Sequence, residues 1–431
     1  MPMTSDGRSP VCVTDKPDVD GLSAEAAVIS PPGSIDMARI AAVADRAEAL
    51  AYQIRLRLMA PEARKVSPRL TVKQAVRLCG LDAASERALR HVAGQSAQRP
   101  GRVSVAEARN SARLQRTPFL RPAERKAITI AVANFKGGVS KTTTAMTLAQ
   151  GLSLRGHKVL AIDLDPQGSL TTLFGVLPQT EVAEDMTALP LLRGEREAIG
   201  HAVRQTYWDG IDLVPAAPTL FAAEFAIPSQ LGQLAGTNFW DVLNCGLVEA
   251  RMSYDVIVID TPPALSYLTI NALMAADAIV VPVPPTALDF SSLVHFWQLL
   301  ADFRNNPDFV RDGGKTYAFV QVLLSRVDQS DVATPAVRQW IEAAYGDFLL
   351  PVEVPKSTVA SAMAASFGTA YDIETYEGST ATYRRIIEAY SKVIDLVEMA
   401  MVMAWQSGPQ RAGVETRFPN AANCGEAFQS R

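Results

Sequence analysis

From residue 128 onward, short apolar runs alternate with longer segments of helical spacing. The runs at 128–133, 158–163, 211–214, 256–260, 278–283, 317–324 and 349–354 predict strands, and segments such as 142–155 and 291–303 predict helices. Strands apolar on both faces and separated by helices indicate an α/β fold, a doubly wound, mostly parallel sheet. Residues 381–406 predict a closing amphipathic helix. Upstream the pattern changes. Ile35, Ile40, Val43, Leu50, Ile54 and Leu58 recur near helical spacing, which predicts one long amphipathic helix over 35–59, suited to core packing or to pairing with a second copy. In 69–92, Thr71 can cap a helix whose apolar face is Val72, Ala75, Val76 and Cys79. Gly80 stops it, Leu81 anchors a turn, and a second helix follows from Ser85, exposing Glu86, Arg87, Arg90 and His91. Residues 94–104 could form a basic wing. The expected organisation is a disordered arm at 1–33, a dimerisation helix at 34–66, a small all-α (winged) helix-turn-helix domain at 67–125, an α/β domain at 126–406, and a disordered tail at 407–431.

Composition narrows this. Of 431 residues 48% are apolar and 20% charged, enough for a sizeable core. Cys12, Cys79, Cys245 and Cys424 lie far apart with no CxxC and no nearby histidine pair, so no zinc-site spacing is present, and the usage fits a reducing cytoplasm. No apolar stretch approaches the ~20 residues of a membrane span. The net charge of −4 hides an asymmetry: residues 51–127 carry 17 Lys and Arg against 5 Asp and Glu. That is the footprint of a polyanion-binding module, with a solvated basic surface as the plainer alternative. With the helix-turn-helix outline it makes Arg87 and Arg90 candidate DNA contacts.

The chemistry concentrates at residues 136–143, KGGVSKTT, between a predicted strand and a predicted helix. There backbone N–H groups and a helix N-terminus converge on an anion. Gly137 and Gly138 permit a phosphate-wrapping backbone, Lys141 would neutralise phosphate oxygens, and the Thr142 hydroxyl is placed to ligand Mg²⁺. Val139, Ser140 and Thr143 complete the candidate nucleotide-binding set. A strict GxxxxGK[ST] pattern misses this loop, because Phe135 and Ser140 stand where glycines would. Lys136 restores it: a second lysine makes sense if it reaches across a dimer interface to the partner's γ-phosphate.

With that two-lysine loop the sequence resembles the deviant-Walker ATPases, and among them the ParA-type partition ATPases with an N-terminal helix-turn-helix. Residues 159–168 (VLAIDLDPQG) resemble the family's second acidic motif. The resemblance implies that Asp165 positions the attacking water and that Asp163 lies near the metal. Residues 254–263 (YDVIVIDTPP) resemble the Walker B strand and switch, which implies that Asp260 holds Mg²⁺ through water; 276–284 resemble the following strand. Each aspartate alone could be a turn former; three in this order after this loop point to a nucleotide site. The resemblance further implies ATP and Mg²⁺ as ligands, a homodimer, a ParB-type centromere-binding partner, and nucleoid-associated DNA bound without sequence preference in the ATP state. It also implies operator recognition by the N-terminal domain. Lys136, Lys141 and Asp165 would carry catalysis. Lys356, with Arg384 and Arg385, could touch DNA or be solvated charges, and Trp208, Trp240 and Trp297 read as packing residues.

Other classes remain. A nucleotide-regulated transcriptional repressor shares the whole loop, as does a replication-operon ATPase. A MinD-type membrane-surface ATPase needs a basic amphipathic C-terminal helix, and 407–431 has no such face. An iron–sulfur reductase subunit needs cluster cysteines, and only Cys245 lies in the core region.

Overall fold

The computed structural model describes residues 37–58, 65–95, 101–229, 238–305, 314–359, 363, 367–374 and 378–407. The expected arm at 1–33 lies outside these residues. So does the expected tail, apart from Ser407, which ends the last helix. Two units separate at residue 57. The first contains all but the last residue of helix α1, Met37–Leu58, along which Met37, Ile40, Val43 and Leu50 are exposed.

The second unit begins with a small module. Strand β1 (Arg69–Thr71) runs antiparallel to β2 (Arg102–Ser104), and helices α2 (Val72–Cys79), α3 (Ala83–Gln95) and α4 (Val105–Gln115) pack beside them. Thr71 caps α2 through a reciprocal bond with Gln74, and Gly80 ends it in the left-handed region at φ 63°. Ser104 and Glu107 cap α4 in the same way. Leu70, Ala75, Cys79, Leu89, Val103, Val105 and Ala108 form the interior. In place of the expected all-α (winged) module, these residues are three helices with a short two-stranded ribbon. Part of the predicted wing, 102–104, is a strand paired to 69–71, while 96–100 fall outside the described residues.

The module docks through arginines of α4. Arg109 donates to the carbonyls of Ser153 (3.0 Å) and His157 (3.1 Å) and pairs with Asp209. Arg113 donates to Gly156 O and reaches Asp255 at 3.3 Å. Arg116 pairs with buried Glu398, which also accepts from Arg155 at 3.1 Å and pairs with His157 at 2.9 Å. Lys65 and Arg121 likewise bind Asp372 and Asp255. Five of the 17 cations in 51–127 are therefore paired with carboxylates of the protein itself, a use the sequence did not suggest.

Among the described residues the large sheet has eight strands in the order β10-β9-β8-β3-β7-β4-β6-β5. They are β3 (Ile128–Val132), β4 (Val159–Asp163), β5 (Arg204–Gln205), β6 (Ile211–Val214), β7 (Val256–Asp260), β8 (Ala278–Val283), β9 (Phe319–Val327) and β10 (Leu349–Pro355). All pairings are parallel except β5 with β6. The period of two divides each strand between cores. Ile128, Ile130, Val159, Ala161, Val256 and Val258 face one, whereas Leu160, Ile162, Ile257 and Ile259 face another. Helix α5 (Lys141–Leu154) covers the first face and is itself covered by the C-terminal helix Thr380–Ser407. The two helices meet closely: a Cβ at Gly151 would lie 1.9 Å from Ile394 Cδ1.

Candidate nucleotide site

Register places the chemistry. Val132 of β3 sits beside Asp260 of β7, and Asp260 beside Asp163 of β4, so three adjacent strands end in one row at their carboxyl edge. Open parallel sheets bind ligands at this edge. The chain leaves β3 through Asn134, whose side chain donates to Pro282 O (3.0 Å) and accepts from the Lys136 N–H (3.1 Å). The loop then turns through Gly138 (φ 74°) and Ser140 (φ 73°) into α5. Ser140 thus occupies a left-handed conformation that glycine would adopt without strain.

Lys141 is buried and donates to the carbonyl of Lys136 at 2.8 Å, closing the loop on itself. Burial lowers its pKa against the opposing pull of Asp260 and Asp165. The aspartates are held differently. Asp163 accepts from Asp165 N (3.1 Å) and from Thr171 N and Oγ1 (2.8 and 2.7 Å). Burial still raises its carboxyl to about 7. Asp165 accepts from Gln167 N at 3.0 Å and is raised by burial. Asp260 is fully buried, and neither of its oxygens has a well-aligned hydrogen-bond partner. Burial, then the charge of Asp163, pushes it well above the usual carboxylate range, with Thr142 and Lys141 opposing. A buried carboxylate with two unused oxygens is expensive unless a cation meets it. Among the described residues no group of three or more His, Cys, Asp or Glu could hold a metal on protein ligands alone. A Mg²⁺ site completed by phosphate and water fits that arrangement.

Lys136 does not enter this row. Its ammonium pairs with buried Asp289 at 2.5 Å, at the mouth of an open cavity of about 350 Å³ lined also by Gly137, Gly138, Pro284, Thr286, Arg326, Asp328, Asp331 and Lys356. A larger cavity of about 540 Å³ between β9, β10 and the C-terminal helix includes no loop residue.

Comparison with known proteins agrees with this geometry. The AAA domain family profile matches residues 127–309. The chain is 35% identical over 282 residues to a putative replication protein A of Rhizobium rhizogenes, covering 64% of this chain and 69% of that protein. It is 31% identical over 307 residues to protein SopA of Escherichia coli K12, covering 67% and 77%. It is also 32% identical over 273 residues to the chromosome partitioning protein ParA of Caulobacter vibrioides, covering 62% and 95%. The chain belongs to the ParA-type partition ATPases. Two solved structures share the fold of this ParA-type chain. A partition protein has a TM-score of 0.57 at 19% identity, covering 85% of this chain and 99% of that one. The Cyanothece McdA(D38A)–ATP complex has a TM-score of 0.52 at 21% identity, covering 67% and 100%.

The fold of this ParA-type chain gathers residues 137–143, Asp163, Asp165 and Asp260 at one sheet edge. The candidate DNA residues lie elsewhere. Arg87 and Arg90 are exposed on α3, Arg90 pairing with Glu86. Lys356 pairs with Asp328 (2.9 Å) at the loop mouth. Sequence reading missed Asp289, Ser325 and Arg326. Asp289 carried a signal, since Thr286-x-x-Asp289 is a helix-capping spacing, and Thr286 does cap helix Ala287–Asp302. Among the described residues no helix is long and apolar enough to cross a membrane.

Proposed function

We propose that this protein is an ATP- and Mg²⁺-dependent DNA-partition ATPase that acts as a dimer. The observation that carries the reading is Asp260: a buried carboxylate without a well-aligned hydrogen bond, level with Asp163 and flanked by Lys141 and Thr142 beneath a helix N-terminus. On this reading the N–H groups of 137–143 and the start of α5 cradle the phosphates, and Lys141 exchanges the Lys136 carbonyl for phosphate oxygen. Thr142 and Asp260 hold Mg²⁺, which when bound neutralises charge on the phosphates. Asp163, tied to Thr171, fixes the strand end beside them. Asp165 orients the attacking water. Lys136 leaves Asp289 and reaches the nucleotide of a second copy, completing the site as an arginine finger does.

The remaining parts follow the same logic. The exposed apolar residues of α1 suit pairing with a second copy. α2 and α3 would read operator DNA, with Arg87 and Arg90 toward the duplex, and autorepress the partition genes. The partition protein that matches in fold spans 85% of this chain, more than the α/β region alone, and this supports a module with a role of its own. Lys356, Arg384 and Arg385 would touch DNA without sequence preference in the ATP state, and a ParB-type partner would stimulate hydrolysis. On this reading the protein would work on the nucleoid. A nucleotide-regulated repressor is the competing reading. Steady-state phosphate release with and without DNA and partner separates the two: partition predicts stimulated turnover. A second comparison is a gel shift on the protein's own upstream DNA with ADP, ATP or no nucleotide. Absence of hydrolysis under every condition, with operator binding retained, would favour the repressor.

A further inference from the structure

Two consecutive residues of β9 grip two consecutive carbonyls of the phosphate loop. Buried Ser325 donates from Oγ to Val139 O at 3.0 Å, and Arg326 donates from Nη1 to Gly138 O at 2.6 Å. An extended strand sends neighbouring side chains to opposite faces. Both can serve one loop only if the backbone departs from the extended form at one of them. Arg326 is that departure, a non-glycine residue at φ 50°. The strand pairing records it independently. Leu324 pairs with Glu353 and Val327 with Pro355, so β9 carries one residue more than β10 in this interval, a bulge that re-aims a side chain.

The consequence lies in the peptide planes. In a trans peptide, C=O of one residue and N–H of the next point in opposite directions, and no described peptide is cis. Holding Gly138 O and Val139 O toward β9 turns the N–H groups of Val139 and Ser140 away from β9. In the sheet, β8 and β9 lie on one side of β3, while β7 and β4, with Asp260 and Asp163, lie on the other. The two N–H groups are therefore aimed toward the side where the phosphates would rest. We infer that Ser325 and Arg326 are positioning residues that set the anion-binding donors of the phosphate loop before nucleotide arrives, with strain at Arg326 retained for that purpose. This rests on the nucleotide reading of the loop.

The test measures binding of a fluorescent ATP analogue with Mg²⁺, ATP turnover, and thermal unfolding without nucleotide. It compares wild type, Arg326→Gly, Arg326→Lys and Lys141→Ala. Glycine accepts φ 50°, so Arg326→Gly unfolds at or above the wild-type temperature, yet binds nucleotide about tenfold more weakly, with the loss in KM exceeding the loss in kcat. Arg326→Lys, which keeps a donor, recovers most of the affinity. Wild-type affinity in Arg326→Gly overturns the proposal. So does a weakened affinity accompanied by a lowered unfolding temperature, because that marks a merely structural role. Lys141→Ala separates the two levels: if it loses binding while Arg326→Gly does not, only the positioning role falls. If Lys141→Ala also binds as wild type does, the nucleotide reading falls with it.

Discussion

Glu398→Gln is predicted to cost about 3 kcal/mol of folding stability at neutral pH. Glu398 is 2% exposed and joins three parts of the protein: Arg116 at the end of α4, Arg155 and His157 just beyond α5, and the C-terminal helix that carries it. Burial alone would raise its pKa. The hydrogen bond and charge of His157, with the charges of Arg155 and Arg116, outweigh burial and hold it at about 2. Against the ordinary glutamate value of 4.5, at ~1.4 kcal/mol per tenfold, that corresponds to about 3 kcal/mol. Removing one partner of a buried ion pair independently suggests ~3–5 kcal/mol. The lower end applies because Arg155 keeps Asp395. Urea unfolding followed by circular dichroism should show a lower midpoint with an unchanged slope. The pH dependence has a definite sign. A carboxylate whose folded pKa is depressed contributes stability that is present above about 4.5 and lost as pH falls toward about 2. Wild type should therefore lose this contribution across that window, and the glutamine variant should have none to lose. A variant within ~0.5 kcal/mol of wild type, or one with the same stability slope in that window, would show that Glu398 does not carry this stability.

Three further substitutions probe separate links. Asp289→Asn removes the partner that holds Lys136 at home, so ATP-dependent dimerisation should require about fivefold less ATP, read by light scattering; an unchanged or higher requirement contradicts a latch. Ser140→Gly relieves a left-handed serine and should raise stability by about 1 kcal/mol with nucleotide binding retained, whereas a lower melting temperature would be inconsistent with that conformation. Gly151→Ala should destabilise by ~1–2 kcal/mol despite its better helix propensity, because the new methyl meets Ile394 Cδ1. Ile394→Val deletes that carbon, so the double variant should recover part of the loss, and strict additivity would count against the close contact.

The alternating apolar runs predicted the strands from 128 onward to within a few residues, because strands buried on both faces carry an unbroken signal. Thr71 and Gly80 marked the bounds of α2, since capping is local chemistry. The two-residue edge strand β5 and the three-residue ribbon β1–β2 are too short to leave a period. The charge block was legible as charge but not as destination: Arg109 meets Asp209 and Arg116 meets Glu398, partners 100 and 282 residues away. Spacing along a chain does not reveal which polyanion, DNA or a folded carboxylate, an arginine will meet. Within the site, the loop and its aspartates were readable from residue types. Ser325 and Arg326 were not, because their role arises from a bulge visible only once β9 is paired.

On the proposed mechanism Lys136 and Lys141 do different work at one nucleotide, one in trans and one in cis. Sedimentation velocity with a slowly hydrolysed ATP analogue and Mg²⁺, run beside equilibrium nucleotide binding, tests it on wild type, Lys136→Ala and Lys141→Ala. Wild type should shift from the nucleotide-free species to a larger one. Lys136→Ala should bind nucleotide without that shift, and Lys141→Ala should do neither. If Lys136→Ala assembles on nucleotide as wild type does, Lys136 does not act in trans.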